Sequence, residues 1–115
     1  MGTVTPFPLS PGRAPSQVGF DRLELARILD LYGRMVAAGH WRDYALDLGR
    51  EAAIFSAFRR AAERPEIRIE KRPALRARQG MWALVGEGGV VLKRGHDLAP
   101  VLAPVERRLM KLVDD

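Results

Sequence analysis

Apolar residues along this chain recur at two periods, and the order of those periods restricts the fold more than any other feature. Near the N-terminal end the period is helical. Leu25, Ile28, Leu29, Tyr32, Met35 and Val36 repeat at the spacing of one helix face, while Arg22, Arg27, Asp30 and Arg34 fall largely on the other. Asp21 stands where an N-cap would, with Glu24 three residues on, the spacing of a capping box. Gly39 is a suitable terminator, because glycine tolerates the left-handed conformation that closes many helices. A helix is predicted over residues 21–38.

From Trp41 the period becomes two. Tyr44, Leu46 and Leu48 alternate with Asp43, Ala45 and Asp47, and a short turn at Gly49-Arg50 leads into Ile54, Phe55, Ser56 and Phe58, a strand apolar on much of both faces. After Pro65, Ile67 and Ile69 alternate with Glu66, Arg68 and Glu70, and Pro73 ends that strand because it cannot donate to the ladder. Met81–Val85 and Val90–Lys93 form a second hairpin around the glycine-rich turn Gly86-Glu87-Gly88-Gly89. A helical period then returns. Asp97 can cap a helix whose apolar face is Leu98, Val101, Leu102, Val105, Leu109 and Leu112, with Pro100 tolerable in its first turn and Pro104 expected to kink or restart it.

Short connections make the strands an antiparallel meander. The expected fold is therefore two-layer α+β, a five-stranded meander packed by an N-terminal and a C-terminal helix, in the order α-β-β-β-β-β-α. Residues 1–19, with Pro6, Pro8, Pro11 and Pro15, are expected to form a disordered or extended tail, and residues 20–115 a single domain. No apolar run is long enough to cross a bilayer. The N-terminus lacks a secretory pattern, so the expected location is the cytoplasm. The absence of cysteine excludes disulfides, thiolate metal sites and a cysteine nucleophile.

Charge supplies the one functional hint. The formal net charge is +5, and residues 59–78 alone carry it: Arg59, Arg60, Arg64, Arg68, Lys71, Arg72, Arg76 and Arg78 stand against Glu63, Glu66 and Glu70. A focused cationic stretch attracts phosphate-rich or acidic partners. Arg68, Glu70 and Arg72 share one strand face, with Ile67 and Ile69 on the other. Trp82, if exposed beside them, could stack a base; if buried it is core. The same residues also read as a solvated strand face with cross-strand Arg–Glu pairs, and 16 of the 19 cations being Arg matches the codon bias of a GC-rich genome.

Lys93-Arg94-Gly95-His96-Asp97 is a secondary candidate. It joins a strand to a helix start, where free N–H groups favour anions, so Lys93 and Arg94 could hold one; Asp97 as the cap would satisfy those donors and repel it. His40 and His96 lack the spacing of a metal site, and no cofactor is implied. None of Ser10, Ser16 and Ser56 has a nucleophile context, and no acid, base and nucleophile converge, so no catalytic residue is assigned.

The strings FDRLELARILDLYGRMVAAGHWRDY (Phe20–Tyr44), IEKRP (Ile69–Pro73) and LKRGHDL (Leu92–Leu98) resemble a small uncharacterised bacterial family, mainly alphaproteobacterial and of unknown function. The resemblance implies a GC-rich bacterial, cytoplasmic setting and carries no activity. The sequence thus leads to a small non-enzymatic binding module contacting nucleic acid or another polyanion, an acidic protein included, through residues 59–78. A protein–protein adaptor or homodimer using a sheet edge or the second-hairpin surface, with the charges serving solubility, is the alternative, and monomer and homodimer both stay open. On the leading reading, neutralising Arg68, Arg72, Arg76 and Arg78 should remove binding and leave folding intact.

Overall fold

The computed structural model describes residues 17–60 and 64–114. Helix α1 (Arg22–Ala37) is followed by strands β1 (Asp43–Leu48), β2 (Ala53–Phe58), β3 (Ile67–Lys71), β4 (Trp82–Val85) and β5 (Val91–Gly95), then helix α2 (Leu98–Asp114). The strands form one sheet in the order β1-β2-β3-β4-β5, every neighbour antiparallel. This is the α+β meander that the two periods predict.

Local chemistry sets both ends of α1. Asp21 accepts a hydrogen bond from the Glu24 N–H at 2.8 Å, and the Glu24 carboxylate accepts from the Asp21 N–H at 2.8 Å, which completes the capping box. At the other end Gly39, at φ +79°, donates to Val36 O while His40 N–H donates to Met35 O. This is the Schellman pattern, which satisfies the last carbonyls and turns the chain sharply. It directs His40 and Trp41 back toward the sheet.

Both helices lie on one face. The register puts Phe55 opposite Ile69, and Ile69 opposite Leu84. These side chains join Ile28, Leu31 and Met35 of α1, and Val101, Leu102, Val105 and Leu109 of α2, in one apolar cluster. Trp41 and Trp82 belong to the same cluster, at 1% and 2% exposure. Trp82 stacks on Phe20 and is core, so it offers no face to a base. The opposite face, with Ser56, Arg68, Glu70, Ala83 and Arg94 in cross-strand register, contributes nothing to that cluster.

Several expectations change. Helix α2 does not restart at Pro104 but continues through it as one helix, held by the buried row from Leu98 to Leu109. Leu112 does not join that row and is 41% exposed. Strand β5 extends to Gly95, so Lys93 and Arg94 are strand residues and not a strand-to-helix junction. Being adjacent in a strand they point to opposite faces, and the secondary anion site they would have formed at the start of α2 is not assembled. Val18 and Gly19, assigned to the tail by sequence, are tied down: Val18 N–H donates to Gly49 O, and Gly19 O accepts from Lys71. Residues 1–16 of that tail lie outside the described residues.

Candidate functional site

The connection between β2 and β3 carries Arg59, Arg60, Arg64 and Glu66 at one end of the sheet. Backbone pairing continues past the strands there, with Glu66 N–H donating to Ala57 O and Arg42 N–H to Phe58 O. The Schellman turn brings Gly39 and His40 to the same end, and the β4–β5 turn brings Glu87. Together these residues line a cleft of about 410 Å³. Among the described lining residues three arginines face two carboxylates, an excess of positive charge.

Glu66 organises the interior of this end. Its carboxylate accepts from Trp41 Nε1 at 2.6 Å, from Arg108 at 3.1 Å, and lies 3.1 Å from His40 Nε2 and 3.6 Å from Arg59 Nε. Arg108 also contacts His40 Nε2. Burial pushes the Glu66 carboxyl upward. The hydrogen bonds from Trp41 and Arg108 and the charges of Arg108 and His40 outweigh that, so its pKa lies below the ordinary carboxylate value. The sequence reading missed this cluster. One signal was available: Arg108 flanks the stripe Leu102, Val105, Leu109, where a long stem lies along apolar surface and its head seeks an acid.

The eight cations of the basic segment separate into four settings. Arg59, Arg60 and Arg64 line the cleft, with Arg59 sharing Glu66. Arg68 and Arg72 lie on the helix-free face and both pair with Glu70, at 3.3 and 3.2 Å. Glu70 is only 7% exposed. Lys71 does not join them. Twofold alternation puts it on the helix-covered face with Ile67 and Ile69, where its Nζ is held by Glu24 at 2.7 Å and Gly19 O at 2.9 Å and lies over the Trp82 ring. It is structural and is removed from the anion-binding set. Arg76 and Arg78 stand exposed in the loop beyond β3, at the far end from the cleft. Among the described residues, no carboxylate lies within ion-pair distance of Arg60, Arg64, Arg76 or Arg78.

Neutralising Arg68 and Arg72 would remove both ion-pair partners of the buried Glu70 carboxylate, so a variant carrying those changes is expected to lose stability as well as charge. Among the described residues no group of His, Asp and Glu could hold a metal ion. No described helix is long and apolar enough to cross a membrane.

Fold and site define an antiparallel α+β domain with both helices on one sheet face, arginines on the other, and a cationic cleft at its rim. The chain belongs to the family described as protein of unknown function (DUF2794), whose model matches residues 18–102, from the segment bonded to Gly49 through all the strands and into α2. The three strings that carried the family resemblance lie inside that span. No curated protein matches the chain, and no solved structure does.

Proposed function

We propose that this domain is a non-enzymatic binding module for a phosphate-bearing polymer, nucleic acid being the first choice, acting in the cytoplasm. The observation that carries the reading is the set Arg60, Arg64, Arg76 and Arg78, exposed at the two ends of β3 and without ion-pair partners among the described residues. Guanidinium forks that no described carboxylate engages suit bidentate phosphate contact. Between them lies the helix-free face, where Arg68 and Arg72 add charge only partly offset by Glu70.

The test is fluorescence anisotropy of labelled single-stranded RNA and duplex DNA with the full chain, at low and near-physiological salt. Binding that weakens steeply with salt is expected, because bound phosphates release counterions. The quadruple variant Arg60→Gln, Arg64→Gln, Arg76→Gln, Arg78→Gln should retain the parent's unfolding midpoint and lose that binding. Undiminished binding by this variant would discard the reading.

A second reading rests on the two sheet edges. Tyr44, Leu46 and Leu48 on β1 are 44%, 40% and 41% exposed, and Val90, Val91 and Leu92 at β5 are 59%, 48% and 51% exposed. Apolar edges with unpaired backbone groups suit strand addition by a protein partner or a second copy. Sedimentation equilibrium of the parent and of Leu46→Lys separates the two readings: a concentration-dependent dimer lost in the variant would favour the edge.

A further inference from the structure

The cleft differs from the rest of the basic surface in ways that bear on what enters it. It is concave, at about 410 Å³, within the lower part of the range of about 300–1,000 Å³ typical of small-molecule sites. Its cations are not equivalent: Arg59 is engaged by Glu66, while Arg60 and Arg64 have no carboxylate within ion-pair distance among the described residues. Glu66 is met by Trp41, His40, Arg59 and Arg108, so its charge is compensated before any ligand arrives. Glu87, by contrast, is exposed in the β4–β5 turn and has no ion-pair partner among the described residues. Among the described residues, the lining thus offers two guanidinium groups and one carboxylate that make no ion pair.

A uniform chain of phosphodiesters suits that lining poorly. Each internal diester has one negative charge and a strand leaving on both sides, so it passes over a concavity, and Glu87 would repel it. A phosphomonoester has a strand or a nucleoside on one side only. It has three acceptor oxygens and a charge of about −1.5 to −2 at neutral pH. Its oxygens match two arginine forks, and the hydroxyl and amino donors of the attached nucleoside match a free carboxylate.

Resting on the reading of the domain as a phosphate-polymer binder, we propose that the cleft lined by Arg60, Arg64 and Glu87 is a phosphomonoester site, which takes a free mononucleotide or the phosphorylated end of a strand. The arginines hold the phosphate and Glu87 accepts from the nucleoside. Internal phosphates of the same strand then lie along the helix-free face toward Arg76 and Arg78.

Calorimetric titration of the full chain with adenosine 5′-monophosphate, pyrophosphate and adenosine tests the cleft, with backbone amide shifts as a second readout. Adenosine 5′-monophosphate and pyrophosphate are expected to bind and adenosine not, with shifts at Gly39, His40 and Arg59. Arg60→Gln and Arg64→Gln should each weaken the mononucleotide by about tenfold, the scale of one charge-assisted phosphate contact. Arg76→Gln with Arg78→Gln should leave it unchanged, and Glu87→Gln should weaken the mononucleotide more than pyrophosphate. The same oligonucleotide with a 5′-phosphate, a 3′-phosphate or neither then separates the sources. Preference for a phosphorylated end, lost in Arg60→Gln, assigns the site to strand ends. Mononucleotide binding without strand binding keeps the cleft and ends the polymer reading. Equal strand binding whatever the ends, with no response to the mononucleotide, overturns the cleft and keeps the polymer reading. No response to any of these phosphates overturns both.

Discussion

At Glu66 two opposing effects act on one carboxyl. Burial favours its neutral form, while Trp41 Nε1 and Arg108 donate to its charged form, which prevails. Because the folded pKa is depressed, the ionised group contributes stability that is present above the unfolded pKa of about 4.3 and is lost as pH falls through the folded value. Glu66→Gln keeps the volume but leaves Arg108 and His40 without their carboxylate. It should cost about 1–3 kcal/mol near neutral pH. That deficit should shrink as acid protonates the parent, so urea denaturation followed downward from pH 6 would show the two stabilities converging. Parallel curves at all pH values would remove Glu66 from this role. A different constraint acts at Gly80. Its φ is +98°, and a Cβ there would stand 2.5 Å from the backbone carbonyl of Gly95 on β5. Gly80→Ala should therefore cost about 2–4 kcal/mol. Gly88, at φ +76° with open space around it, should cost only about 1–2 kcal/mol on the same replacement. Equal thermal midpoints for the two variants would contradict this ordering.

Pro104 raises the corresponding question at the scale of an element. A proline inside a helix removes one backbone donor and crowds the carbonyl four residues back, yet α2 continues unbroken. Tertiary packing overrides the local preference, because Val101, Leu102 and Val105 on either side are almost wholly buried. Pro104→Ala should restore the missing bond and stabilise the domain by about 1–3 kcal/mol, read as a rise in the urea midpoint. A fall would show that the ring itself is packing that the helix needs. Strand β1 shows the reverse outcome. Its alternation is as regular as that of β3, yet β1 is an edge and Tyr44, Leu46 and Leu48 stay more than one-third exposed, whereas Ile67 and Ile69 in β3 are 2% and 1% exposed. Period identifies a strand and its faces; position in the sheet decides how far a face is covered.

For the whole molecule, folding converts one basic stretch into separate groups with separate partners. The helix-covered side withdraws Lys71, the other face balances Arg68 and Arg72 around Glu70, and the two ends of β3 carry arginines with no ion-pair partner among the described residues. With Arg60 and Arg64 on a terminal phosphate and Arg76 and Arg78 on internal ones, about four charges are neutralised, and the slope of log affinity against log salt for a single strand ending in a phosphate should be about −3, at about −0.7 per charge neutralised. The five residues of β3 span about 16 Å at about 3.3 Å each. Strands of only two or three nucleotides should thus reach one end and show a slope of about half that value. Anisotropy across a ladder of strand lengths measures both; a slope independent of length would place all contacts in one patch.

The order and type of the elements, the capping box at Asp21 and Glu24, the Gly39 terminator and the faces of β3 are all written in the local sequence. All of these depend on neighbours within about four positions or on a period of two or 3.6, so the information is local. Which arginines meet a carboxylate is not local. That depends on partners distant in the chain: Glu66 with Trp41 and Arg108 across 25 and 42 positions, and Lys71 with Glu24 across 47. Alternation did place Lys71 on the face of Ile67 and Ile69, but only the packing of α1 supplies the carboxylate that holds it there. The cleft was legible only as three arginines of a basic run. Its concavity, its compensated glutamate and the approach of Glu87 come from bringing the α1–β1, β2–β3 and β4–β5 connections to one end of the sheet, which the tertiary fold alone decides.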